Sequence, residues 1–251
     1  NNIVRLSPRI MANISAKTPE VLAQGLIGMG RGEFIAYDKR DLYRLLLNTV
    51  ESPIRVTEND LILDGVIFSR QQTLAFLTTG SSVLETTPSG GQASPMKTDD
   101  PKGWVSGKDM KAYLRFLYIL SPDNNQIYKY ERLANRYSAP VEYNVNADLK
   151  NAIDIFIDGN VYVLKEGGTV LKLYRGETQQ FVIRRAPDGV LKDASKIFKS
   201  ESGNFYFLDP VKNRVIVTTD GGPTGESSYV RQYVLEGDQL GELKDFYVDA
   251  D

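Results

Sequence analysis

Three charged residues occupy one position of a repeated pattern. Asp154, Lys196 and Asp245 each stand one residue before the hydrophobic residue that aligns the repeats, Ile155, Ile197 or Phe246. Two carboxylates beside an ammonium have coupled titrations and could hold a cation or a polar ligand. The same triplet serves as well as a set of structural ion pairs that fixes the register of neighbouring repeats, or as solvated rim charges, and this structural role is the preferred reading. In earlier repeats the position falls on Val66 and, by a looser alignment, on Met110.

Other stretches carry oxygen ligands. Asp123-Asn124-Asn125, Asp158-Gly159-Asn160 and the run from Asp209 to Asn213 are chemically apt for calcium. None has the spacing of a calcium loop, and Asp, Asn and Gly are what tight turns need in any case. Gly28, Gly30 and Gly32 hint at a phosphate cradle, but no helix follows and the spacing fits neither phosphate-binding fingerprint, so a turn between strands is the better reading. Asn13-Ile14-Ser15 is a formal glycosylation sequon. Trp104, the sole tryptophan, lies in a polar stretch and is a candidate anchor for a protein partner. The preferred reading makes Thr86–Lys111 a long mobile loop between blades, with Trp104-Val105 as an outer strand.

Composition limits the chemistry further. The 251 residues include no Cys and no His, which removes thiol nucleophiles, thiolate and imidazole metal sites, and every His-based catalytic triad. Catalysis would have to run on carboxylates, Lys, Tyr or an oxygen-ligated metal. A net charge of −2 with a pI near 5.5 argues against nucleic acid as a partner and against a polybasic membrane anchor. No run of 18 or more apolar residues occurs, so no insertion of this segment into a membrane is expected. The chain opens at Asn1 rather than Met, which fits a processed form or a fragment of a larger protein. The lack of Cys favours, slightly, the extracytoplasmic face of a bacterial membrane.

The elements that must position these residues are short strands. Asn151–Tyr174 reads as three strands, Ile153–Ile157, Val161–Leu164 and Val170–Leu173, joined by turns with Gly and Asn where positive φ is needed. The middle strand recurs as FIAYD, LAFLT, LYILS, VYVLK and FYFLD. Its aligned residues Ile35, Ala75, Tyr118, Tyr162 and Tyr206 are spaced by 40, 43, 44 and 44. A period of about 40–45 residues with several short strands per unit is the signature of β-propeller blades. One helical turn is allowed at Thr18–Gln24.

The unit around GNVYVL, in Asp154–Leu173 and less clearly in Lys196–Val217 and Asn125–Tyr130, resembles NHL-type and TolB-like propeller repeats. The carboxy-terminal half is also similar to the propeller halves of membrane-anchored bacterial proteins. The resemblance implies scaffolding, or binding of proteins or ligands on the propeller faces, and supplies no catalytic residue.

The expectation is therefore an all-β chain, one β-propeller domain over 1–251 with six blades. Its ring would be closed where Asn2–Ser7 pairs with Leu243–Asp249. The expected function is a non-catalytic binding or scaffold module for a protein partner or small ligand, without a cofactor, although calcium stays open. The alternative is a metal-dependent lactonase or hydrolase of the gluconolactonase type, to which Asp154 and Asp245 could contribute.

Overall fold

The most hydrophobic strands carry apolar residues at consecutive positions rather than alternate ones. LAFLT, VYVLK and FYFLD are buried almost throughout. A strand of this kind must be covered on both faces, so each sheet needs neighbours on its two sides. A computed structural model describes residues 2–249. Among these residues the regular structure consists of short strands and three 3-10 turns at Ile14–Ala16, Pro122–Asn124 and Gly222–Thr224. The expected turn of helix at Thr18–Gln24 is absent; the helical turn falls just before it, capped by the Asn13 side chain.

The chain divides into two compact units. The amino-terminal strand β1 (Ile3–Leu6) belongs with the residues from Asn144 onward, and residues 10–143 form the other unit. The 10–143 unit holds three antiparallel sheets. In the first, β2 (Gly25–Gly28), β3 (Phe34–Tyr37) and β4 (Asp41–Leu46) lie in order, with β5 (Thr49–Val50) and β6 (Ile54–Arg55) both on β4. The second runs β7 (Ile62–Phe68), β8 (Thr73–Thr78), β9 (Val83–Thr86) and β10 (Ser94–Pro95). The third runs β11 (Asp109–Tyr113), β12 (Phe116–Ser121), β13 (Gln126–Glu131) and β14 (Val141–Glu142).

The second unit holds two sheets. One runs β15 (Ala152–Ile157), β16 (Val161–Lys165), β17 (Val170–Tyr174) and β18 (Glu177–Gln179). The other gathers β19 (Val182–Arg184), β20 (Lys196–Lys199), β21 (Phe205–Asp209), β22 (Arg214–Thr218), β23 (Glu226–Leu235) and β1.

Sheet stacking follows from strand parity. On β8, Leu74 and Phe76 join the core that includes Ile35 and Leu42 of the first sheet. Ala75 and Leu77 join the core that includes Leu117 and Ile119 of the third. In the second unit Tyr162 and Leu164 pack with Phe205 and Phe207 of the last sheet, and the Tyr162 and Phe205 rings meet edge to face at 4.8 Å.

Two expectations about the ends are corrected. Five sheets are present among the described residues rather than six blades. Leu243–Asp249 forms no strand, and its expected partner is already engaged. Strand β1 runs parallel to β23, with Ile3 opposite Gln232 and Leu6 opposite Leu235. The ten-residue β23 pairs with β22 along one edge, and its other edge takes β19 at Glu226–Ser228 and β1 at Gln232–Leu235. Asn2 Nδ2 donates to Val230 O at 2.9 Å, and Arg5 pairs with Glu236 at 2.6 Å. Among the described residues no strand pairing between the two ends closes a sixth blade.

Burial also sets a limit on alkaline stability. Desolvation pushes the phenols of Tyr118 and Tyr130 up to about 12 and raises Tyr137 further. A phenol that ionises later in the folded state than in the unfolded one favours folding fully below the unfolded value near 10, and that contribution is lost as pH rises through the folded value. The melting temperature is therefore expected to fall between pH 10 and 12, with the tyrosinate absorbance of the buried phenols appearing only as the protein unfolds. Full tyrosinate absorbance at pH 10.5 in a still-folded protein would contradict this burial.

Candidate functional site

The first strand of each sheet has one edge without a ladder partner, since β2, β7, β11, β15 and β20 all end their sheets. Backbone N–H groups on such an edge need acceptors from elsewhere when buried. Asp154 supplies one. A bulge between Ala152 and Asp154 re-aims the side chain, which is 1% exposed, and its Oδ2 accepts from Ile197 N on β20 at 2.8 Å. Lys196, the residue before Ile197, is half-buried at the start of β20. Asp245 is half-buried in the irregular segment after β23, where its Oδ1 accepts from Phe246 N at 2.9 Å. The segment is held against β20 by rings: Phe246 and Tyr247 meet Phe198 at 5.9 and 5.2 Å, and Phe198 meets Phe156 at 5.3 Å.

The 10–143 unit repeats the device with residues that sequence alignment missed. Asp64, not Val66, lies opposite the conserved-in-pattern leucine Leu77, as Asp154 lies opposite Leu164. Asp109, not Met110, lies opposite Leu120. Asp64 also follows a bulge, and its Oδ2 accepts from Met110 N at 3.0 Å. Lys111 Nζ stands 3.0 Å from Asp109 Oδ1 and 3.6 Å from Asp64 Oδ2. In the first sheet the corresponding residue is Gly25, opposite Tyr37. A Cβ there would lie 2.0 Å from the Tyr37 ring, and the Tyr37 hydroxyl takes over the carboxylate's task, accepting from Gly65 N at 3.2 Å and donating to Asp64 at 3.1 Å. The signal that could have found these residues was the leucine that four of the second strands share, Leu77, Leu120, Leu164 and Leu208. Counting back from it fails by constant offset, because the hairpins differ in length and two first strands are bulged.

The remaining candidates are also tied into the framework. Asp158 accepts from Asn160 N at 3.1 Å and bonds Lys199, which reaches Asp220 at 2.7 Å and lies over the Tyr162 and Phe205 rings. Burial opposes the Lys199 charge, but bonds from Asp158 and Asp220 outweigh it and raise its pKa above the ordinary lysine value. Asp209 caps its turn through Val211 N and Lys212 N and takes Arg214 Nε at 2.8 Å. Asp123 sits in a 3-10 turn that ends at Asn125 in a left-handed conformation. Among the described residues no three Asp or Glu side chains converge as metal ligands. The glycine run forms a turn in which Met29 N donates to Glu33 O.

Trp104 is half-buried and not in a strand, which corrects the outer-strand reading. Its Nε1 donates to Met96 O at 2.9 Å and its ring packs on Tyr130 and Tyr137 at 4.7 and 5.0 Å. Arg44 binds Pro88 O and Gly90 O, so the stretch 87–103 is pinned at both ends.

No family model matches the chain, and no curated protein matches it by sequence. Solved structures do match. The WD40 repeats of RRP9 superpose with a TM-score of 0.62 at 10% identity, covering 90% of this chain and 83% of that one. A chain of the nidogen/laminin complex gives 0.57 at 12%, covering 91% and 88%. The fold is a β-propeller. Virginiamycin B lyase from Staphylococcus aureus, at 0.58 and 12% with 86% and 71% covered, has the same fold. At these identities the likeness shows the fold alone, and the NHL-type or TolB-like assignment stays a resemblance.

Replacing Asp154 by Ala leaves the buried Ile197 N–H without its acceptor, which costs about 1–3 kcal/mol. Asp154→Asn keeps a carbonyl oxygen and is expected to lose less, as read by urea denaturation. Equal losses in the two variants would mean that charge, not the backbone bond, is what Asp154 supplies.

Proposed function

We propose that the chain is a non-catalytic binding module, a propeller that presents preformed loops to a protein partner. The observation that carries this reading is the employment of its acids. Asp64 and Asp154 hold the backbone of the neighbouring first strand, and Asp158 and Asp209 hold turns and cations. A carboxylate already spent on a buried N–H is poorly placed to act as a general base. The absence of His and Cys from the sequence points the same way. Propellers of the WD40 class and of the nidogen/laminin complex are among the structures this chain resembles, which is consistent with binding as its work.

The stretch 87–103 is the proposed partner face. It is held by Arg44 at one end and Trp104 at the other, while Gln92, Lys97 and Asp99 stay exposed. A loop fixed before binding loses less entropy when it binds. Trp104 then acts from within, as the internal anchor of that loop. The lactonase reading needs several carboxylate and amide ligands on one point, and among the described residues no three Asp or Glu side chains converge.

Deleting 86–103 would remove Ala93 and Met96 from the cores, so surface substitution is the informative change. The variant Gln92→Arg/Lys97→Glu should keep the wild-type melting temperature and lose a partner that the wild-type protein retains on a column. Calcium and manganese at about 1 mM should leave the melting temperature unchanged, since only a ligand of the folded state raises it. A saturable rise with either metal, or retention by the variant equal to wild type, would overturn the reading.

A further inference from the structure

One cleft of the 144–249 unit is unused by anything described above. It has a volume of about 520 Å³, within the range of roughly 300–1,000 Å³ found for small-molecule sites. Its walls come from the turn at Asn160, from Lys172 and Tyr174 on β17, from Gln179 at the end of β18 with Gln180 beside it, and from Glu226 at the start of β23. Strand pairing puts Lys172 directly opposite Gln179, so these side chains share one face of their sheet.

The chemistry of the lining is specific in kind. Three side-chain amides each offer two donors and an acceptor, which suits vicinal hydroxyls, since these also donate and accept. Gln179 spends one amide hydrogen on Glu177 O at 3.1 Å, which steadies it and leaves its remaining capacity open. Lys172 and Glu226 bring opposite charges that are not paired with each other, and Glu226 instead contacts Arg184 at 3.3 Å. A strongly anionic ligand would meet Glu226, and a cationic one would meet Lys172, so the balance favours a neutral ligand. Tyr174 is 48% exposed, with the Arg175 guanidinium 5.3 Å from its ring centre, and offers a flat apolar surface with a hydroxyl at its edge. An aromatic surface beside several amides matches a sugar ring, which has a C–H face and a rim of hydroxyls.

We propose that this cleft binds a neutral oligosaccharide, with Tyr174 as the stacking surface and Asn160, Gln179 and Gln180 as the hydroxyl-reading groups. Lys172 and Glu226 bond the outer hydroxyls. Sugar binding here neither requires nor replaces a protein partner at 87–103, so its failure leaves the binding-module reading standing.

The test is titration of the full chain with maltotriose, cellotriose and N,N′-diacetylchitobiose, followed by saturation-transfer NMR and calorimetry. At least one of the three should bind saturably with a dissociation constant on the order of 1 mM, equivalent to about 4 kcal/mol. Tyr174→Ala and Gln179→Ala/Gln180→Ala, all changes at exposed positions, should each weaken that binding by roughly tenfold, while Leu47→Ala, at an exposed site in the other unit, leaves it unchanged. No saturable signal up to about 20 mM for any of the three sugars, or equal binding by Tyr174→Ala and wild type, would overturn the proposal.

Discussion

A sheet that stacks against others by its faces leaves the edge of its first strand without a hydrogen-bonding partner, and this constraint shapes the molecule. Met110 N and Ile197 N lie on such edges in buried surroundings. Each is met by an aspartate from the preceding first strand, Asp64 or Asp154. A buried N–H left without an acceptor costs the full desolvation of that group, so these two carboxylates do more than decorate a rim. They join neighbouring sheets by a backbone bond, beside the apolar layers and the side-chain ion pairs that also cross between them. The bulge before each aspartate is what turns the carboxylate toward the next strand. Where the first sheet lacks the aspartate, Gly25 makes room for Tyr37, whose hydroxyl meets Gly65 N.

The other buried polar groups follow the same logic further from the edge. Glu85 on β9 takes both Arg132 Nε and Nη2 at 2.8 Å and also bonds the Tyr137 hydroxyl, which ties the second sheet to the segment after β13. Arg214 on β22 reaches Asp209 on β21, Gln232 on β23 and Val190 O, and so links three strands to the segment before β20. Breaking one partner in such a buried set is far costlier than the net worth of the pair. These networks specify which strand lies beside which, while the apolar layers supply the bulk of the burial. The consequence for function is that acids and bases which look reactive in the sequence are occupied in the fold. The surfaces proposed for binding are instead the pinned stretch 87–103 and the amide-lined cleft beside Tyr174.

Much of this was legible in the sequence because second strands repeat faithfully. Ile35, Ala75, Tyr118, Tyr162 and Tyr206 all fall in strands at the predicted position, and their apolar runs announced sheets covered on both faces. First strands were harder to place. The step from Asp154 to Leu164 is shorter than that from Asp64 to Leu77, and no periodicity reveals a bulge, so Val66 and Met110 stood where Asp64 and Asp109 belong. The sixth blade was inferred from LKDFYVD, which has the residues of a first strand but lacks a second strand to pair with. Its aromatic residues still find Phe198, so the likeness to a first strand was real in packing and absent in hydrogen bonding. The parallel pairing of β1 with β23 depends on a long-range choice of edge that local pattern does not record. Trp104 was read as part of an outer strand, with a partner anchor as the alternative; it lies in no strand, and Tyr130 and Tyr137 reach it from further along the chain.

Native-state amide hydrogen exchange at Met110 and Ile197 tests the central claim most directly. If Asp64 and Asp154 close the free edges of β11 and β20, these two amides exchange as slowly as the ladder amides of β12 and β21, by global opening alone. Exchange at the rate of loop amides such as Lys102 or Gly203, with the neighbouring strands still protected, would contradict it.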